Sequence, residues 1–281
     1  MCKVCLFFIS IILLSTGCKK YKVEDLKPIE EPKLSKELKI LNPQDKIWAH
    51  RVNSLTNIED RIQEFYGIEI DIFYNYANNN FEVKHDLDSS GIDLEFFIDS
   101  VQKVKKVSYW FDYKNLNEHT ESGISKLCSI LFERELENVS LVESYFSNEL
   151  IGFYGKVATS YWVSATEIPN QQEDRDNLYK ENYKFINDLN TKMISATYEM
   201  NGFLEHYFPQ HRINHWMSGD LTNAQISELA EMALSPNVNI ILYQLFKFAY
   251  FLYFHYIIRY GKNRKVSKQS IFRKINKPFS N

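Results

Sequence analysis

The sequence predicts an α/β protein, a (β/α)8 barrel, on three observations. Eight short strand-like runs open at Ile47, Gly67, Val107, Ser140, Lys156, Lys192, Arg212 and Val238. Helical or irregular spacers separate them, the rhythm of repeated β/α units. No glycine-rich phosphate loop follows the first run, which weighs against the competing doubly wound open sheet.

The elements follow in order. Residues 47–50 (IWAH) form a short apolar strand. Residues 56–66 have helical character, with Ile58, Ile62 and Phe65 on one stripe and Thr56 or Asn57 as cap. Gly67 opens IEIDIFY, an alternating strand; Asn78-Asn79-Asn80 makes a turn, and FEVKH returns as the second arm of a hairpin. Helices are expected over 92–104 and 124–137, around a strand at 107–114. Further strands fall at 140–143, 156–163, 192–198, 212–216 and 238–243, and the acidic stretch 171–176 reads as a surface loop.

The chain of 281 residues is 44% hydrophobic with only 9 Gly and 7 Pro, enough for one large domain or two small ones. Collagen-like, low-complexity and disulfide-scaffold classes are excluded. The net charge of -3 argues against a nucleic-acid binder, although residues 259–281 carry eight Lys/Arg and no acid. The rest holds 25 Lys+Arg against 36 Asp+Glu, so a basic tail (261–281) follows an acidic body.

The N-terminus reads as an address. Lys3 precedes an apolar run from Val4 to Leu14, and Ser15-Thr16-Gly17 lead into Cys18. The small residues before a Cys resemble a bacterial lipobox. That implies a lipoprotein signal over 1–18, lipid on Cys18 and a place in the cell envelope on the periplasmic or surface side of a membrane; a plain signal peptide or an uncleaved anchor is the alternative. Cys2 and Cys5 leave with such a signal, and Cys128 remains alone, read as a buried helix position. Residues 19–45, charged and Pro-punctuated, read as a tether, and 46–260 as the barrel. The aromatic run 240–258 reads as the eighth strand plus a buried closing helix. A membrane-seated terminus is the alternative, disfavoured because Lys247 is costly in lipid.

Four segments carry chemistry. His50-Arg51 closes the first strand. Glu69 and Asp71 lie two apart on the second, so both point to one face. His85-Asp86 ends the returning hairpin arm, and Asp112 and Lys114 lie two apart on the third strand. Any one pair taken alone is more simply a surface edge or a structural ion pair. Together they gather at the carboxyl ends of barrel strands, where three carboxylates repel unless a cation joins them. All-oxygen ligands favour one Mg2+ or Ca2+ over Zn2+. Two histidines suit base and acid near neutral pH, and Arg51 and Lys114 suit a phosphate.

His50-Arg51, Glu69-x-Asp71 and His85-Asp86 resemble the signature of glycerophosphodiester phosphodiesterases in the phospholipase-C-like phosphodiesterase superfamily. WAHRVNS, IEID and FDYK also resemble menorin-type proteins, and INHWMSGD is similar to a tryptophan segment on the seventh strand. The likeness is strong over 47–115 and fades to strand pattern afterwards. Val52 stands where a glycine commonly follows His-Arg, Asn53-Ser54 replace a Glu-Asn-Thr element, and Asp112 holds a place often taken by Glu.

The resemblance implies a divalent metal held by Glu69, Asp71 and Asp112, with help from Asn53. It implies His50 and His85 as the proton-transferring pair, Arg51 and Lys114 on the phosphate, and Trp216 on the alcohol portion, with a core tryptophan as the alternative. The partner is then a phosphodiester small molecule or lipid headgroup, with no nucleic acid, a membrane met through the N-terminal lipid, and a monomeric protein. A surface lipoprotein that binds without catalysis on the same barrel is the alternative, kept open by the altered Val52-Asn53-Ser54 segment.

Overall fold

The computed structural model describes residues 37–86, 91–165, 167–217 and 222–243. From β1 (Ile47–Ala49) the chain passes through α1 (Ile58–Ile62) to β2 (Gly67–Asn75), then β3 (Asn80–Val83) and β4 (Ile92–Asp93). Next come α2 (Leu94–Val104), β5 (Ser108–Tyr113), α3 (Thr120–Glu133), β6 (Ser140–Ser144), a 3₁₀ segment (Ser147–Phe153) and β7 (Ala158–Trp162). The order ends with α4 (Gln172–Asp188), β8 (Met193–Thr197), α5 (Asn201–Tyr207), β9 (Arg212–Trp216), α6 (Asn223–Leu234) and β10 (Val238–Tyr243).

Strands β1, β2, β5, β6, β7, β8, β9 and β10 are parallel, and β1 pairs with both β10 and β2. The eight therefore close into a (β/α)8 barrel. Five of its strands, those at Ile47, Gly67, Ser140, Arg212 and Val238, open at the expected residue. β3 and β4 hang outside it as an antiparallel extension of β2. The hairpin turn works because Asn79 sits at φ 50°, a left-handed conformation that Asn tolerates well.

Both faces of β2 are buried, which explains its mixed pattern. Ile68, Ile70 and Ile72 pack outward with Phe97 and Leu127 of the helices, while Glu69 and Asp71 face the barrel interior. Helix α2 starts at Leu94 because the Asp93 side chain accepts from the Phe96 N–H at 3.0 Å. Its Leu94, Phe97, Ile98 and Val101 recur at the spacing of one helical face. Cys128 is buried in α3.

The lower barrel is filled by Trp48, Trp110, Leu141, Ala158, Met193 and Ile240. Gly67 is required there, since a Cβ on it would lie 2.3 Å from the Trp48 ring. Leu38 and Leu41 belong to the same cluster, and the Arg212 guanidinium donates to the Leu38 carbonyl and, at 3.1 Å, to that of Lys39. This corrects the tether over 19–45. Its last residues are core, because two leucines and a cation seal the open end of a barrel better than water does.

A second correction concerns 171–176, which is not a loop but the start of α4. Its acids Glu173 and Asp174 lie in the first turn, where negative charge favours the helix dipole. Cys18, the signal, the basic tail and the run beyond Tyr243 lie outside the described residues. Among the described residues no helix is long and apolar enough to cross a membrane.

Candidate active site

The carboxyl ends of β1, β2 and β5 bring the predicted acids together. In the β2–β5 register Asp71 stands beside Asp112 and Glu69 beside Trp110, so side chains on one face of both strands share the barrel mouth. One oxygen each of Glu69, Asp71 and Asp112 lies within 4.8 Å of the others. Lys114, just past β5, places Nζ 2.6 Å from Asp71 Oδ1 and also bonds Asp112 Oδ2.

Arg51 holds a left-handed backbone at φ 53°, uncommon for a residue with a side chain. That geometry aims its N–H at Glu69 Oε2, 2.6 Å away, while Arg61 donates to its carbonyl at 3.0 Å. Asn53 is turned onto Asp71: its oxygen accepts from the Asp71 N–H and its nitrogen donates to Oδ2.

Burial pushes Glu69 well above the usual carboxylate range, and the neighbouring Asp71 and Asp112 add to it. Burial likewise raises Asp112, against the lowering charge of Lys114. For Lys114 burial pulls down, but Asp112 and Asp71 together outweigh it and hold the ammonium protonated. His50 is lowered to about 4, by burial first and by Arg51 second. It is therefore a neutral imidazole at pH 7. Its Nδ1 donates to the Met217 carbonyl at 2.8 Å, which leaves Nε2 with its lone pair 3.7 Å from Glu69 Oε2. That approach is not an ion pair.

These groups line a cavity of about 90 Å³: His50, Arg51, Glu69, Asp71, Asp112 and Lys114, with Trp110, Glu143, Trp162, Trp216 and Leu242. Trp216 is thus at the mouth, and its ring meets that of Trp162 edge-on at 6.1 Å. His85 stands apart. It follows β3, its side chain is 40% exposed, its Nδ1 is 2.7 Å from Asp86, and it does not line the cavity. It is near enough for its charge to act on Asp112.

Two residues escaped sequence reasoning. Glu143 is buried, accepts from the Ser195 hydroxyl and is raised well above the carboxylate range by burial and by Asp112. Leu141 and Glu143 share the inward face of β6, but only the strand register sets Glu143 beside Asp112. Trp162, last on β7, had no such partner in the sequence.

A divalent cation fits this donor set. Among the described residues Asp112 Oδ1 is buried with no hydrogen-bond partner, and the carboxylates of Glu69 and Asp71 converge with it. No protein-family model matches the chain, and no curated protein matches it. Solved structures do. A glycerophosphodiester phosphodiesterase from Parabacteroides distasonis is 16% identical, with 78% of this chain and 98% of that one covered and a TM-score of 0.55. Two proteins assigned to the same activity also match. The one from Agrobacterium tumefaciens is 12% identical (71% and 93% covered, TM-score 0.54), and the one from Galdieria sulphuraria 11% identical (75% and 97%, TM-score 0.53). At these identities the likeness is one of fold: the barrel of this chain is built like that of the glycerophosphodiester phosphodiesterases.

Proposed function

We propose that the protein is a phosphoric diester hydrolase of the glycerophosphodiester phosphodiesterase type. The observation that carries this reading is the convergence of Glu69, Asp71 and Asp112 beside a neutral His50 whose Nε2 makes no hydrogen bond among the described residues. Those three carboxylates would hold one Mg2+ or Ca2+, with Asn53 fixing the orientation of Asp71. A bound cation would offset charge on the nonbridging phosphate oxygens.

The protein's own groups do the rest. His50 Nε2 takes the proton of the attacking hydroxyl, while its Nδ1–H stays on Met217 and fixes the ring. Arg51 and Lys114 face the phosphate, and Trp216 lies along the alcohol portion. His85, oriented through Nδ1 by Asp86, gives a proton to the leaving oxygen from outside the cavity lining. The lipoprotein assignment completes the proposal: Cys18 carries lipid and holds the protein at an envelope membrane as a monomer. Cys18→Ser then loses fatty-acid labelling.

The test is a screen of glycerophosphodiesters, lysophospholipids and an aryl phosphodiester with Ca2+ or Mg2+. His50→Ala and His85→Ala should each lower turnover by roughly 10²- to 10⁴-fold. Activity indifferent to both discards the mechanism. The exposure of His85 favours a second reading, a barrel that binds a phosphodiester without cleaving it. Tight binding with no turnover would select it.

A further inference from the structure

Beside the carboxylate cavity lies a larger one, of about 280 Å³, on the same face of the barrel. The loops after β5, β6 and β7 form it, with α4 on one side. Trp162 lines both cavities. The first, at about 90 Å³, has room for a phosphate but lies below the roughly 300–1,000 Å³ of ordinary ligand sites. The organic part of a diester must therefore extend past it, and the second cavity adjoins it through the shared wall of Trp162.

We propose that this second cavity is a sugar subsite, taking a pyranose-sized polyol esterified to the phosphate. The proposal rests on the phosphodiesterase reading for the identity of the attached phosphate. Its walls are rings set at right angles. Tyr145 meets Trp162 at 5.3 Å and 76°, and Phe146 at 5.6 Å and 87°. Such walls pack against the apolar C–H faces of a sugar ring, while the side chains of Asn117, Asn148 and Ser164, none bonded within the described residues, meet its hydroxyls.

The alternatives fit less well. An acyl chain would desolvate those three polar groups and Glu149 without replacing their hydrogen bonds. A quaternary ammonium would meet Phe185 where Lys184 Nζ already stands 5.4 Å from the ring centroid. A neutral polyol meets neither obstacle.

Tyr145 is 63% exposed, so Tyr145→Ala leaves the core untouched. Two measurements test the subsite on the full chain with added cation. The first compares kcat/KM on the glucose and ethanolamine diesters of glycerol 3-phosphate. The glucose diester should be preferred, and Tyr145→Ala should lower that preference roughly 3- to 10-fold. The second titrates α-D-glucose 1-phosphate by calorimetry, where the same variant should weaken binding by a like factor.

Hydrolysis of both diesters with no preference and no effect of Tyr145→Ala overturns the sugar subsite and leaves the phosphodiesterase reading standing. Hydrolysis of neither, with Tyr145-dependent binding of the sugar phosphate, overturns the catalytic reading and keeps the subsite. Binding indifferent to Tyr145 overturns the subsite. A preference for long-chain lysophospholipids that is lost in Tyr145→Ala assigns the cavity to an acyl chain instead.

Discussion

Asn53 holds Asp71 at two points, accepting from its N–H at 2.9 Å and donating to its Oδ2 at 2.5 Å. With Lys114 on Oδ1, both oxygens of Asp71 are engaged, and Arg51 engages Glu69. Asp112 Oδ1 is buried with no hydrogen-bond partner among the described residues. A cation that satisfies it stabilises the folded state by mass action, by about 2.7 kcal/mol at a concentration a hundred times its Kd. Thermal scans with added Mg2+ or Ca2+ should show a rise in Tm for the native sequence and little or none for Asp112→Asn. An equal rise in both removes Asp112 from the site.

Glu143 should tolerate loss of its charge but not of its shape. Burial pushes its carboxyl well above the usual carboxylate range, and its Oε2 accepts from the Ser195 hydroxyl. Glu143→Gln preserves that acceptor and should cost under about 1 kcal/mol in urea unfolding, whereas Glu143→Ala leaves a void and a stranded hydroxyl and should cost about 2 kcal/mol or more. Equal losses would show that the native residue works as an anion.

Gly67→Ala should be poorly tolerated. The added methyl would meet Trp48 at 2.3 Å, inside a wall fixed by eight paired strands. Overpacking of this kind costs about 1–3 kcal/mol, visible as a lowered Tm with changed tryptophan fluorescence. A wild-type Tm would mean that Trp48 moves freely.

Acid should destabilise the fold through His215. It is fully buried, its Nδ1 is 3.2 Å from the Thr197 carbonyl, and burial lowers it to about 4, below the unfolded value of 6.5. As pH falls through 6.5 the unfolded chain takes a proton that the folded chain refuses. Stability is therefore lost between pH 6.5 and about 4 and levels off below, by up to ~3 kcal/mol for this group. Urea midpoints for the native protein should fall over that range, and His215→Gln should flatten the fall. An unchanged slope in the variant would assign the acid sensitivity elsewhere, His50 being the other buried imidazole lowered as far.

The strands were legible because a parallel barrel strand is buried on both faces and reads as a dense apolar run, as β2 and β10 do. Glu69, Asp71 and Asp112 were legible as charges interrupting such runs. Helix α4 was not, since only Asn182 and Ile186 of its residues are buried, too few to print an apolar stripe. Glu143 was missed because one acid on a strand has no partner until register supplies Asp112. The separation of His85 from the cavity depends on where a hairpin outside the barrel comes to rest, which local pattern does not encode.

The leucine seal at the foot of the barrel has a kinetic consequence. With Leu38 and Leu41 clustered with Trp48 and Trp110, the described residues close the foot of the barrel and leave the carboxylate cavity open at the opposite end. On the proposed phosphodiesterase reading, whatever is cleaved there would leave by the route its precursor used. Both halves of a split diester would have to clear the vestibule before the next molecule docks, so each product would compete with substrate for the same threshold.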